Sequence, residues 1–184
     1  MPNKEESKNV RRFAIRYLVY RDRSRKEIDC YLKKKGFSSN AVDEVITFFE
    51  DNSYINDPNF ALQFGRSLIK NKNVGRLRLE RELRHKGLAN HIIHGTLSSL
   101  YEEFDERKIA MVCAKKKLKA SSSNDIKKER GRLVKFLERK GFDSNLVYQV
   151  VTQLVPRVSN NDLVYSPPLT AKQHQKTVFS RNQD

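Results

Sequence analysis

Three times along the chain a pair of aliphatic residues four apart stands among charged neighbours and is closed by a glycine. The pairs are Ile28 and Leu32 before Gly36, Leu79 and Leu83 before Gly87, and Leu133 and Leu137 before Gly141. Such spacing puts each pair on one buried stripe of a helix. The glycine stops that helix, because the residue past the C-cap takes the left-handed conformation, which glycine enters without a Cβ clash. Phe37, Leu88 and Phe142 follow, placed to fold back over the last turn. Apolar residues then recur at 41, 45 and 49, at 92, 96 and 100 (with Thr96 in the middle), and at 146, 150 and 154, predicting a second helix after every glycine. Upstream, FAIRYLVY at 13–20, FALQFGRSLI at 60–69 and IAMVCAKKKL at 109–118 predict another. Each unit therefore reads helix, helix, helix, without alternating strand patterns.

The repetition reaches the level of phrases: LKKKGFSSN at 32–40 returns as LRHKGLANH at 83–91 and LERKGFDSN at 137–145. The expected fold is all-α, three tandem three-helix units at 8–51, 52–104 and 105–158, stacked because a unit this small buries its apolar face better against a neighbour. Local signals support single helix ends. Ser24 with Glu27 forms a capping-box pattern. Asp57 is the expected N-cap of the next unit, with Pro58 at the first helical position. Lys35, Lys86 and Lys140 fall where a cation meets the negative end of a helix dipole, which accounts for them without a partner. The serine-rich LKASSSNDI at 118–126 reads as a longer, mobile connection. Past Pro156 helical periodicity is lost, and 159–184 is expected to be a disordered tail.

Charge changes the picture most. Among 184 residues, 37 Lys and Arg oppose 22 Asp and Glu, a net of +15. The pI near 9.9 and mean hydropathy of −0.73 indicate a wet, basic surface that favours polyanions. Residues 107–140 hold 13 cations and three anions, interleaved with apolar residues at helical spacing, so the basic face belongs to folded helices. Candidate contact residues are Arg21, Arg23, Arg25 and Lys26 in the first unit, and Arg76, Arg78, Arg81 and Arg84 in the second. In the third they are Lys115, Lys116, Lys117, Lys127, Lys128, Arg130, Arg132, Lys135 and Arg139, while Gly36, Gly87 and Gly141 are structural turns. Tyr17 and Tyr20 stand near the first-unit cluster as candidate contact aromatics but read first as core residues, and Cys30 and Cys113 read as two buried thiols.

Other chemistries lack their residues. No GxxxxGK[ST], GxGxxG or GxSxG motif occurs. His91 and His94 have no further ligands beside them, and the acids at 102, 103, 105 and 106 read as a solvated connector. No catalysis, metal or cofactor is expected. No stretch reaches the roughly 18 apolar residues of a membrane span, and the N-terminus lacks a signal h-region, so a cytoplasmic protein is expected.

The segments YLVYRDRSRKEIDCYLKKKGF at 17–37, SYINDPNFALQF at 53–64 and GRLRLERELRHKGL at 75–88 resemble the RecX family, bacterial modulators of the RecA recombinase. The likeness extends over nearly all of 12–155 and rests on Tyr17-Leu18 with Arg21, Arg23 and Ser24, on Tyr54-Ile55 with Asp57 and Phe60-Ala61, and on the thrice-used Lys-Gly turn. Ser53 stands where the family usually has glycine, and Asn56 where it often has an acid. The resemblance implies an elongated, curved monomer that lies in the groove of the RecA filament on single- or double-stranded DNA, without reading its sequence. There it restrains ATP hydrolysis, strand exchange and filament growth in recombination, repair and the SOS response. The competing reading is a free-standing helical DNA-binding protein.

Overall fold

The computed structural model describes residues 4–120 and 125–156, and among them it is all helix. The elements are α1 (Lys4–Val19), α2 (Arg25–Lys34), α3 (Ser39–Asp51), α4 (Asp57–Lys72), α5 (Arg76–His85), α6 (Asn90–Glu103), α7 (Glu106–Lys119), α8 (Ile126–Lys140) and α9 (Ser144–Leu154). Residues 121–124 of the expected serine-rich connection and all of the expected tail lie outside the described residues. The three glycines stop α2, α5 and α8 at φ of 88°, 78° and 85°. Behind two of them the folded-back amide closes the turn: Leu88 N–H donates to the Leu83 carbonyl at 3.4 Å and Phe142 N–H to the Leu137 carbonyl at 3.3 Å.

The capping box of α2 is present, with Glu27 N–H donating to Ser24 Oγ and Ser24 N–H to the Glu27 carboxylate, both at 3.2 Å. The expected cap of α4 is displaced by one residue. Asn56, not Asp57, is the N-cap and accepts the Asn59 N–H at 2.8 Å, while Asp57 is the first helical residue with its carboxylate turned to another unit.

The helices form three hydrophobic cores, α1–α3, α4–α6 and α7–α9. The aliphatic pairs 28/32, 79/83 and 133/137 are at most 1% exposed. Ala14, Ala61 and Ala110 hold equivalent places on the first helix of each unit and are wholly buried, small side chains where that helix presses on its neighbours. Some register expectations shift. The buried stripe of α6 is Ile93, Thr96, Leu97 and Leu100, with Ile92 at its edge, and that of α9 is Val147, Val150 and Val151. A spacing-of-four series marks only one edge of a stripe that the 3.6-residue turn widens. Cys113 is buried but Cys30 is exposed, since it lies across α2 from Ile28 and Leu32. Tyr17 stacks on Tyr31 at 4.0 Å, as core packing requires, whereas Tyr20 follows the last residue of α1 and is 84% exposed.

The units are joined twice in the same way. The Gly87 turn sits on the N-terminus of α2, where Ser24 Oγ donates to the Lys86 carbonyl at 2.7 Å and Lys86 Nζ to Glu27 Oε1 at 2.6 Å. The Gly141 turn sits on the N-terminus of α5, where the N–H groups of Gly75 and Leu77 donate to the Lys140 and Gly141 carbonyls at 2.9 and 3.0 Å. Lys140 Nζ adds a bond to the Lys72 carbonyl at 2.7 Å. A carboxylate opening the next unit completes each joint: Asp57 accepts the Arg25 N–H at 2.8 Å, and Glu106 the Arg76 N–H at 2.7 Å. N-terminal amides that a helix leaves orphaned are thus satisfied by the following unit. The recurring lysine, expected to serve only its own helix end, is in two of three cases a link between units.

Candidate polyanion-binding cleft

On α8 the residues Lys128, Arg132, Lys135 and Arg139 follow at intervals of four, three and four, which aligns them on one stripe opposite buried Leu133 and Leu137. With 1.5 Å of rise per residue the stripe is about 16 Å long. The second joint sets this stripe beside unit two, because the Gly141 turn at the end of α8 is seated on α5. Arg81 of α5, Lys117 of α7, and Arg132, Lys135, Glu138 and Arg139 of α8 consequently line one cleft of about 670 Å³.

Five cations and one carboxylate share these walls. None of the five is in an ion pair among the described residues. Arg81 Nε and Arg139 Nε each donate only to a carbonyl one turn back on their own helix, Leu77 and Lys135, both at 3.3 Å. Lys117 Nζ lies 5.8 Å from the centre of the Phe136 ring, whose other cation, Lys140, is 5.7 Å away. The ring steers the Lys117 stem without neutralising its charge. With five cations against one carboxylate the walls are predominantly positive and concentrate the field, and guanidinium forks match tetrahedral oxyanions bidentately. The cleft suits a chain of phosphates.

The remaining predicted residues are placed otherwise. Arg21 pairs with Glu27 at 2.8 Å, Arg25 with Glu50 at 3.0 Å, and Lys26 packs beside Gly87, so most of the first cluster is drawn into the joint. Arg23 lies over the Tyr17 ring at 3.9 Å. In unit two, Arg76 covers Tyr101, Arg78 pairs with Glu82 at 3.4 Å and Arg84 with Glu80 at 2.6 Å. Lys115, Lys116 and Lys127 are exposed outside the cleft, Lys128 pairs with Asp125 at 3.3 Å on the same stripe, and Arg130 donates to the Val155 carbonyl. Gly75 was not singled out in the sequence; a Cβ there would lie 2.5 Å from the Gly141 carbonyl oxygen. Its only sequence signal is a glycine directly before a helical arginine-leucine pattern.

The joints perturb their carboxylates. Burial pushes the Glu27 carboxyl upward, yet bonds from Arg21, Lys86 and the Ser24 N–H outweigh it and hold Glu27 at about 2. For Asp57 and Glu106 burial prevails over the single amide each accepts, and their carboxyls are raised. No group of three or more metal-ligating residues occurs among the described residues, and none of their helices is long and apolar enough to cross a membrane.

Three family models match the chain in order: the RecX first three-helix domain at 11–49, the second at 56–97 and the third at 105–151. Regulatory protein RecX of Listeria monocytogenes serotype 4a is 33% identical over 168 residues, covering 90% of this chain and 60% of its own. That of Mycolicibacterium smegmatis is 31% identical over 152 residues, 80% of this chain and 79% of its own. The chain spans only 51% of the length of the Bacillus licheniformis relative. Among solved structures, RecX from Lactobacillus salivarius superposes with a TM-score of 0.73 at 22% identity, over 83% of this chain and 98% of that one. With three domain models matched in series and a relative above 30% identity matched over most of its length, the chain belongs to the RecX family.

Proposed function

We propose that the chain is a non-catalytic regulator that binds the RecA–DNA filament in the cytoplasm and restrains its ATP hydrolysis, strand exchange and growth. The observation that carries the reading is the cleft between units two and three, with five cations and no ion pair to occupy them among the described residues. Its two walls come from different units, so a phosphate chain seated there touches a site that exists only when the array is assembled. A tandem array gains from several modest contacts made together, and a protein bridging neighbouring filament subunits hinders the rearrangements that hydrolysis and exchange require. Inhibition then needs no active site.

The test compares bare DNA with recombinase-coated DNA across a salt series. Phosphate contacts fade steeply with salt, with a log–log slope of about −0.9 per contact on duplex and about −0.7 on single strands. Retained affinity for the coated form after bare DNA has been salted out is the expected result. Parallel loss on both would favour the free-standing DNA-binding protein. The double reversal Arg132→Glu/Lys135→Glu should weaken bare-DNA binding and flatten the slope while leaving helicity unchanged.

A further inference from the structure

The first helix of each unit pairs with the third, and the outer face of that pair differs between units. Alignment on Ala14, Ala61 and Ala110 sets Arg11 opposite Arg107 and Val19 opposite Arg66, while alignment on the turn glycines sets Phe48 opposite Gln153 and Glu44 opposite Gln149. In unit three Arg107 donates to the side-chain carbonyls of Gln149 and Gln153, both at 3.2 Å. In unit two Arg66 grips Glu103 through Nε and Nη2, the closest contact 2.7 Å. Polar pairs close both faces. In unit one Glu44 is engaged by Ser7 at 3.2 Å, and Arg11 instead lies over the Phe48 ring at 4.2 Å. Arg11 Nε is buried and has no acceptor.

What remains is an apolar groove of about 480 Å³ lined by Arg11, Ile15, Leu18, Val19, Phe48, Phe49 and Tyr54. Ile15 is 54%, Val19 77% and Tyr54 65% exposed. Four of the nine large exposed apolar side chains among the described residues belong to unit one and a fifth, Tyr54, closes the groove from the segment after α3, which argues for a face that a partner covers rather than scattered surface residues. Phosphodiesters cannot cover such a floor, whereas an amphipathic protein segment can. The only charged group in the lining is cationic and holds an unspent donor, so the complementary segment carries a carboxylate among its apolar anchors.

We propose that the α1–α3 groove of unit one docks an acidic amphipathic segment of the recombinase, its carboxylate on Arg11, while the cleft between units two and three takes the phosphates. This rests on the filament-binding reading and divides the labour within it: one end of the array reads protein, the other nucleic acid.

The experiment uses the full chain with Ile15→Asp/Val19→Asp in the groove, Arg11→Gln beside it, and Arg132→Glu/Lys135→Glu in the cleft. Both aspartates enter at exposed positions, and circular dichroism checks that helicity is kept. Affinity is read on bare DNA and on recombinase-coated DNA. The groove double variant should bind bare DNA as the unaltered chain does and lose at least about tenfold on coated DNA, as for a central apolar anchor. Arg11→Gln should lose part of the same affinity, and the cleft variant should lose affinity for both. If the groove variant binds coated DNA normally while the unaltered chain prefers it over bare DNA, the inference falls and the proposed function stands. An unaltered chain with no preference for coated DNA overturns both. Neutral Arg11→Gln beside a weakened double variant overturns the acidic chemistry, and a self-dimer seen by sedimentation that the double variant abolishes overturns the recombinase as occupant.

Discussion

Ser53 leaves α3 with φ of 60°, a left-handed conformation that a residue with a Cβ enters at a cost. It keeps the turn because its N–H donates to the Glu50 carbonyl at 2.9 Å, and its exposed hydroxyl bonds to none of the described residues. Ser53→Gly is therefore expected to stabilise the fold by about 0.5–1 kcal/mol, measured by urea unfolding at constant m. A destabilised variant would show that the hydroxyl has a role the geometry does not reveal. Glu27 is the opposite case, a side chain with three simultaneous tasks: it closes its own helix cap, pairs with Arg21 and receives Lys86 from the next unit. Its folded-state carboxyl, at about 2, lies below the ordinary 4.5, so its contribution is fully present above pH 4.5 and is lost as pH falls toward 2. Glu27→Gln should cost about 1–3 kcal/mol at neutral pH, because the half-buried Lys86 ammonium loses its counter-charge. The gap between the two proteins should narrow as pH falls through that window; a constant gap would contradict the assignment. The cap was legible in Ser24 and Glu27, three residues apart. The pairing with Lys86 was not, since nothing local in a sequence reports a partner 59 residues away.

At the scale of elements, the three glycine turns share a sequence phrase and a dihedral but not a neighbourhood. A Cβ at Gly36 would meet nothing within 4 Å, whereas one at Gly141 would lie 2.3 Å from the Arg78 backbone nitrogen. Gly36→Ala should therefore cost only the left-handed penalty, about 1 kcal/mol. Gly141→Ala must in addition displace a joint built from main chain, and its cost should exceed about 2 kcal/mol. Thermal melts of the two variants decide this, and equal costs would show that the turns serve their own helices alone. The helix count and the stops were readable because the aliphatic pairs and glycines act within one turn of themselves. The start of α4 slipped by one residue for a related reason: Asn56 and Asp57 are both good caps, and what separates them is the Arg25 amide that Asp57 accepts from another unit. Cys30 is exposed although it stands in an apolar run, because its angle on α2 is opposite that of Ile28 and Leu32, and a run of residues does not report that angle.

The whole molecule follows from one joint used twice, and its ends differ from its middle. The amide of Arg25 and that of Arg76 lie 11 residues before their glycines and face the next unit; the residue at that distance from Gly141 is Arg130, inside α8. Helix α8 starts a turn earlier and satisfies its first amides with its own Asp125, so this joint is not offered again there. Charge counting located the basic third unit but could not choose among the 13 cations of residues 107–140, since which of them share the cleft depends on the helix end that the Gly141 turn is seated on. The cleft is thus a property of the joint as much as of its charges. Gly75→Ala tests that dependence without altering any charge. The added Cβ would lie 2.5 Å from the Gly141 oxygen, forcing α5 and its Arg81 away from the α8 stripe. Bare-DNA affinity should fall at least as far as in Arg81→Ala, with far-ultraviolet dichroism preserved and the small-angle scattering profile changed. DNA binding equal to the unaltered protein, alongside a shifted profile, would mean that the α8 stripe grips phosphates by itself and that the second wall is incidental.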